Sequence, residues 1–146
     1  MNVELMKEFA NEPDASRYTM RIDGALVGVL DYAVNGSAIS ARAGQLGLIP
    51  GSMGTASYVV EGLGNPVALQ SSPHGAGREY SRSAARKTFT HDQLREAMAG
   101  IEYRDTPAFL DEIPAAYKPI DQVMADASEL VSIRHTLRQL VNVKGD

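Results

Sequence analysis

A histidine followed by small residues is the first feature of this sequence that could do chemistry. His74 precedes Gly-Ala-Gly, and arginines follow at Arg78, Arg82 and Arg86. Backbone amides of a glycine-rich turn can converge on an anion, and arginines spaced by four residues would share one face of a helix whose first turn also favours anions. An imidazole beside a phosphate held in this way could attack phosphorus in line. The pattern therefore predicts phosphate chemistry at His74.

Two simpler interpretations of these residues stay open. A single histidine is more often structural or merely exposed than catalytic, and a row of arginines on a helix is usually a solvated face. Neither interpretation explains why the glycines lie next to the histidine.

A second loop rich in glycine and hydroxyl groups runs from Gly51 to Ser57, with the sequence GSMGTAS. Its spacing favours a β-turn between two strands, and it lacks the Gly-Lys-Ser/Thr ending of a Walker loop. Taken alone, Asp111 and Glu112 are expected on a helix surface, Tyr117 in the core and Lys144 on an exposed terminal segment.

Metal chemistry finds little support in the residue pattern. The three histidines His74, His91 and His135 are far apart, without the paired spacing typical of metal ligands. There is no cysteine, which excludes disulfides, a thiolate nucleophile and a cysteine zinc site.

The composition predicts one globular domain of ordinary size. The chain has 146 residues, of which 44% are hydrophobic and 22% charged, with a net charge of -4. This acidic balance argues against diffuse adhesion to nucleic acid, so any phosphate binding must be local. No apolar run reaches the length of a membrane span, and charged residues at the N-terminus fit neither a signal nor a transit peptide. We therefore expect a cytoplasmic protein.

The elements that position these residues are predicted to be strands first and helices later, an α+β fold. Residues 18–22 and 26–32 alternate around Asp23-Gly24, which indicates a hairpin. Asn35-Gly36 marks another turn, with a third strand through Ile39. Glycines then separate short β-branched runs such as Tyr58-Val59-Val60.

Local signals also predict the later elements. Ser81 is expected to cap a helix over residues 84–89, and Thr90 with Gln93 forms a capping box for a helix to about Ala99. A short strand is expected over 101–104, a helix over 108–117 that Pro114 would kink or end, a helix over 119–130 and a strand over 132–143.

Taken together, these segments resemble a known family. The carrying stretches are AISARAGQLGLIPGSMGTASYVVEGLGNP, SSPHGAGREYSR, DEIPAAYKPIDQVM and HTLRQLVNVKG, which occur in family order. Over residues 38–145 the chain is similar to the C-terminal portion of RtcB-type RNA-splicing ligases, so the fold is expected to be a fragment of the RtcB fold.

The resemblance implies GTP-dependent and manganese-dependent joining of RNA ends, as in tRNA splicing and RNA repair. His74 would attack the α-phosphate of GTP and carry GMP, which passes to an RNA 3′-phosphate and is displaced by a 5′-hydroxyl. The positions implied to contact the nucleotide are Ser52, Ser57, Ala76, Gly77, Tyr117 and Lys144. Arg78 and Arg82 are implied to contact phosphate or RNA.

The sequence departs from the family in one respect that bears on activity. The family's manganese ligands lie upstream of the matched region, and none of those motifs is present here. Without metal, pyrophosphate loses its main charge stabiliser. We therefore expect a truncated ligase that is inactive alone and needs a missing N-terminal ligase half, with an archease-type activator also implied. Self-association through exposed edges and apolar faces is a further expectation.

Residues 1–37 resemble a different family, the opening hairpin of small GNAT-like acetyltransferases. This divides the chain into a hairpin segment, 1–37, and an RtcB-like nucleotide-binding portion, 38–146. Three functions follow: an RNA ligase with a histidine-GMP intermediate, a non-catalytic remnant that binds guanine nucleotide or RNA, or an acetyltransferase-like protein. The third lacks the pyrophosphate loop that acetyl-CoA binding would need.

Overall fold

The computed structural model describes residues 7–12, 17–22, 25–31 and 38–143, the first three ranges as backbone only. These residues contain both helices and sheets, which confirms the α+β class in its coarse form. None of the helices in this part of the chain is long and apolar enough to cross a membrane.

The strands of the described residues form four small sheets. In chain order they are β1 (Lys7–Glu12), β2 (Arg17–Ile22), β3 (Ala25–Asp31), β4 (Ala38–Ser40), β5 (Leu46–Pro50), β6 (Ser57–Gly62), β7 (Ser71–Pro73), β8 (Glu102–Tyr103), β9 (Val131–Leu137) and β10 (Val141–Asn142). The antiparallel sheets have the orders β1-β2-β3, β5-β6-β9 and β4-β7, and β8 pairs with β10 in parallel.

The predicted first hairpin is confirmed, since β2 and β3 pair antiparallel with Tyr18 opposite Leu30. Its turn at 23–24 and the second turn at 35–36 lie outside the described residues. The loop from Gly51 joins β5 to β6, as its spacing predicts. The predicted last strand is wrong in extent, because it divides into β9 and β10, which belong to different sheets.

Three short α-helices follow: α1 (Arg82–Thr88), α2 (His91–Ala97) and α3 (Ile120–Asp126). Ser81 caps α1 by accepting from the Ala84 amide, and Thr90 with Gln93 forms the predicted capping box of α2. Both caps satisfy amides that have no partner within the helix.

The predicted helix over 108–117 is two 3-10 helices, Pro107–Glu112 and Pro114–Ala116. Ile113 separates them with φ -50° and ψ 138°. A residue before proline is driven out of the helical region, and proline has no amide to donate. Pro114 therefore ends the first helix.

Two apolar clusters form the core. The first lies between the β5-β6-β9 sheet and α3 and includes Ile49, Val60 and Met124. The second gathers α1, α2 and the 3-10 helices around Leu94, Met98 and Ile113. Tyr117 packs against both clusters, so the segment that carries it is fixed by the whole core.

Candidate functional site

The loop that carries His74 follows β7 and is held between two distant segments. The Ala76 amide donates to the Pro50 carbonyl over 3.1 Å, and the Lys118 amide donates to the Gly77 carbonyl over 3.0 Å. Residues that are tens of positions apart in sequence therefore meet around Gly75–Gly77.

The two glycines of this loop serve different purposes. At Gly75, an added Cβ would lie 3.1 Å from the Pro50 carbonyl oxygen, so the residue permits a close approach of two backbones. Gly77 has φ +72°, and an added Cβ there would meet no atom within 4 Å. It is needed for its conformation and not for lack of space.

His74 is exposed and lines a cleft of about 510 Å³ between the β4-β7 pair and α3. Gly75, Ala76, Gly77, Lys118 and Asp126 also line this cleft. Its volume lies in the range of small-molecule sites, about 300–1,000 Å³. The cleft thus places an accessible imidazole beside one cation, one carboxylate and a glycine loop.

One polar atom in the cleft wall lacks a partner. The Ser72 side chain lines the cleft and is almost completely buried, and its hydroxyl has no hydrogen bond within the described chain. Buried hydroxyls are normally satisfied, so such an atom calls for a ligand or water.

The predicted anion nest is realised only in part. Because the Ala76 amide is bonded to Pro50, it faces away from any anion in the cleft. The amides of Gly75 and Gly77 make no hydrogen bond within the described residues, so they are the donors that the loop could offer to a phosphate.

The three arginines converge on two carboxylates. Arg82 lies 3.0 Å from Asp111 and 2.5 Å from Glu112, and Arg86 lies 3.2 Å from Asp111. Asp111 and Glu112 are buried, so their predicted place on a helix surface is wrong. The packing of α1 against the first 3-10 helix covers them, and a local sequence pattern carries no information on that contact.

Arg78 differs from the other two arginines. The prediction that all three share a helical face is wrong for Arg78, because α1 begins only at Arg82. Arg78 forms a β-bridge with Tyr117, and its guanidinium donates to the Tyr80 carbonyl, to Glu112, to the Tyr117 hydroxyl and to the Asp111 carbonyl.

Tyr117 is half-buried and joins this cluster. Its hydroxyl donates to Glu112 and accepts from Arg78 over 2.9 Å, and the Arg78 guanidinium lies 4.9 Å from the ring centroid. Burial, followed by the hydrogen bond to Glu112, raises the pKa of the Tyr117 phenol. One ring face is therefore covered by a cation, and a stacking base would have to use the other face.

The loop from Gly51 to Ser57 is closed by its own hydrogen bonds. The Ser52 amide donates to the Thr55 hydroxyl over 2.6 Å, and the two hydroxyls lie 2.9 Å apart. Ser52 is buried, while Ser57 is half-buried at the start of β6. Neither lines the cleft at His74, although Pro50 joins their loop to Ala76.

Two further predicted features have simple outcomes. Lys144 lies outside the described residues. The described residues contain no group of three or more histidine, aspartate or glutamate side chains that could hold a metal ion.

Sequence reasoning missed Lys118, Asp126 and Ser72. Lys118 and Asp126 reach the cleft only because the chain folds back on the loop at His74, whereas Ser72 lies two residues before His74 in the stretch SSPHGAGREYSR. The first two follow Tyr117 closely in the recognisable stretch DEIPAAYKPIDQVM or just beyond it, so that stretch was the available signal.

Comparison with known proteins establishes the family. The sequence model described as tRNA-splicing ligase RtcB matches residues 33–145. The chain therefore belongs to the RtcB family, and the resemblance is confirmed. The match gives no support to the acetyltransferase resemblance of residues 1–37.

Individual relatives agree with this assignment. The RNA-splicing ligase RtcB of Escherichia coli strain K12 is 54% identical over 115 residues, which are 78% of this chain and 28% of that protein. The RNA-splicing ligase RtcB of Mycobacterium tuberculosis is 42% identical over 106 residues, 69% of this chain and 24% of that protein. The tRNA-splicing ligase RtcB of Nanoarchaeum equitans is 43% identical over 95 residues, 60% of this chain and 20% of that protein. The chain thus spans less than a third of the length of these relatives.

Proposed function

We propose that this chain supplies the nucleotide-binding portion of an RNA ligase that joins a 3′-phosphate or 2′,3′-cyclic phosphate end to a 5′-hydroxyl end. The observation that carries the proposal is the accessible His74 at a cleft, on a glycine loop pinned to Pro50 and Lys118, in a chain of the RtcB family. The named relatives are RNA-splicing or tRNA-splicing ligases.

The proposed chemistry starts with His74. Its imidazole attacks the α-phosphorus of GTP, the bond to pyrophosphate breaks, and a phosphorus–nitrogen bond to GMP forms. The RNA 3′-phosphate then takes the GMP from the histidine, and the 5′-hydroxyl displaces GMP to form the new phosphodiester. A 2′,3′-cyclic phosphate end is first opened by water, which breaks the bond between O2′ and phosphorus and leaves a 3′-phosphate. Each step exchanges one bond to phosphorus for another, so no oxidant or reductant is needed.

The residues at the cleft suit the phosphates of a nucleotide. Phosphate oxygens accept hydrogen bonds, and the cleft offers several donors to them. These donors are the Lys118 ammonium, the amides of Gly75 and Gly77 and the Ser72 hydroxyl, which has no partner within the described residues. The Asp126 carboxylate lines the same cleft and would repel a phosphate. We propose that the triphosphate therefore lies on the side of the cleft away from Asp126.

The guanosine contacts are proposed for residues around this loop. Ser52 and Ser57 would face the guanosine from the loop before β6, the backbone of Ala76 and Gly77 would adjoin the nucleotide, Tyr117 would stack on guanine with its uncovered face, and Lys144 would reach the base edge. The Ser52 hydroxyl can donate to the guanosine while it accepts from the Thr55 hydroxyl, 2.9 Å away. Arg78 and Arg82 are proposed on the phosphate or RNA side.

Manganese, which the family resemblance implies, does not fit the residues described. They contain no cluster of side chains able to hold it, so no step is assigned to a metal here. We propose that the metal ligands come from a separate polypeptide, the missing N-terminal ligase half. An archease-type activator and a second copy of this chain are further proposed partners. Apolar side chains at Val67, Leu69, Leu140 and Val143 are exposed and could take part in such contacts.

A second candidate is a protein that binds guanine nucleotide or RNA without catalysis. The same lack of a metal-ligand cluster in the described residues favours it for the chain alone. In both candidates residues 38–146 form the nucleotide-binding portion, residues 1–37 a separate segment, and the location is cytoplasmic.

Intact-mass measurement after incubation with GTP and Mn²⁺ tests the proposal. The chain is measured alone and mixed with the part of a full-length relative that lies outside the matched residues. We expect a mass gain of one GMP in the mixture, its loss in His74→Ala and its retention in His135→Ala, a control at another exposed histidine. A folded mixture without any gain contradicts the ligase proposal. Retention of an acetyl-CoA label would instead favour the acetyltransferase-like alternative.

A further inference from the structure

Arg82 and Arg86 are presented to solvent by a carboxylate that they share. Arg82 Nη1 and Arg86 Nη2 lie 3.0 Å and 3.2 Å from the same oxygen, Oδ2 of Asp111. The Asp111 side chain is 3% exposed, whereas the arginine side chains are 65% and 59% exposed. The carboxylate therefore fixes two guanidinium groups side by side at the surface.

Most donors of these two arginines remain available. A guanidinium has five N–H donors, and within the described part of the chain the ion pairs use Nη1 of Arg82 and Nη2 of Arg86. Arg78, in contrast, is 24% exposed and donates to four groups of its own surroundings. Arg78 therefore belongs to the buried part of the cluster, and Arg82 and Arg86 form its solvent-exposed part.

The charges of the cluster do not balance. Among the described residues, the guanidinium groups of Arg78, Arg82 and Arg86 face the carboxylates of Asp111 and Glu112. These five groups taken by themselves carry one net positive charge if all are ionised. One added anion would neutralise it. Paired guanidinium groups with free parallel donors suit the oxygens of a phosphate group.

We propose that Arg86, together with Arg82, binds a phosphodiester of the RNA backbone, and that Asp111 is the positioning residue for this pair. The inference rests on the proposed function, because it takes RNA as the ligand. It adds a contact at Arg86 and a role for a buried carboxylate that contacts no RNA itself.

The test measures binding of a fluorescein-labelled single-stranded RNA with a 3′-phosphate to the full chain by anisotropy, across a series of salt concentrations. We expect Arg86→Gln to weaken binding several-fold and to reduce the magnitude of the salt slope by about 0.7, the value for one phosphate contact on a single strand. Lys87→Gln is the matched control, since Lys87 is exposed, on the same helix, and equal in charge. An equal effect of both variants overturns the inference.

Asp111→Asn separates positioning from simple charge. Removal of a carboxylate makes the surface more positive, so a purely electrostatic surface would bind RNA more tightly. A positioning role predicts weaker binding, because the two guanidinium groups lose their common partner. Tighter or unchanged binding overturns the role of Asp111. Circular dichroism checks that Asp111→Asn is folded. If Asp111→Asn does not fold, Arg86→Gln alone tests the site.

The outcome is independent of the histidine chemistry. The GMP adduct on His74 is measured in the unsubstituted chain and without RNA, so it is read separately from the effect of Arg86→Gln on RNA binding. Adduct formation without any effect of Arg86→Gln on RNA binding refutes this inference alone. An effect of Arg86→Gln without an adduct refutes only the ligase chemistry.

Discussion

Replacement of Glu112 by glutamine tests the cluster that joins α1 to the 3-10 helices. The side chain is 10% exposed, accepts from Arg78 over 3.3 Å and from Arg82 over 2.5 Å, and receives the Tyr117 hydroxyl on its other oxygen. Glutamine keeps the shape but removes the charge. It also replaces one acceptor oxygen by an amide group, placed beside a Tyr117 hydroxyl that already accepts from Arg78.

The expected cost comes mainly from two terms. Loss of the charge from the hydrogen bond with Arg78 costs up to about 1.5–3 kcal/mol, and the buried amide, which has no unused acceptor among the neighbours given for this carboxylate, costs about 1–3 kcal/mol. The contact with Arg82 adds little, because that side chain is 65% exposed and such pairs contribute about 0–1 kcal/mol. We expect a loss of about 3 kcal/mol in the free energy of unfolding.

Urea and thermal unfolding, followed by circular dichroism, measure this loss. With about 4 °C per kcal/mol for a chain of this size, the melting temperature should fall by about 12 °C. Glu79→Gln is the control, because Glu79 is exposed and the same change of type there should have little effect. If the two variants lose equal stability, the buried cluster does not support the fold as described.

Two further variants test the packing around the core. Tyr58→Phe removes the hydrogen bond that Tyr58 donates to Asp121 over 2.6 Å and should cost about 1 kcal/mol at pH 7. This bond, followed by burial, raises the pKa of the Tyr58 phenol above its ordinary 10.0. The contribution of the bond to stability is therefore complete below pH 10 and is lost as the pH rises through the folded-state pKa. The free energy of unfolding, measured from pH 9 to 12, should decline less steeply in Tyr58→Phe than in the original chain, and parallel curves would contradict this reasoning. Gly62→Ala would place a Cβ 2.3 Å from the Arg42 carbonyl oxygen and 2.4 Å from the Ala41 carbonyl carbon, whereas Gly47→Ala meets only the ends of the Ile39 and Val60 side chains at 3.3 Å. We expect Gly62→Ala to lower the free energy of unfolding by about 3 kcal/mol and Gly47→Ala to lower it clearly less. Equal unfolding midpoints in urea would show that the backbone at Ala41 and Arg42 can move away from residue 62 at little cost.

The sequence alone could predict those features of the fold that depend on residues close to one another along the chain. The caps at Ser81 and Thr90 are formed by side chains that accept from amides three positions later, so their residue types predict them directly. The first hairpin followed from its alternation, and the end of a helix at Pro114 followed from the missing amide.

Features that depend on distant contacts could not be obtained in this way. The burial of Asp111 and Glu112 results from arginines that lie 25 to 34 positions earlier. The bond between Ala76 and Pro50 removes one amide from the predicted nest, and no local pattern indicates it. The last predicted strand is divided because β6, the partner of β9, begins at Ser57 opposite Leu137, and Val141–Asn142 pair with β8 instead.

The position of the GMP adduct is the most direct test of the account. Peptides of the chain, after reaction with GTP in the presence of the complementary portion of a relative, can be sequenced by tandem mass spectrometry at alkaline pH, where a phosphorus–nitrogen bond to histidine persists. We predict GMP on the peptide that contains His74 and on no other. GMP on His91, on His135 or on a lysine such as Lys118, with His74 unmodified, would contradict it.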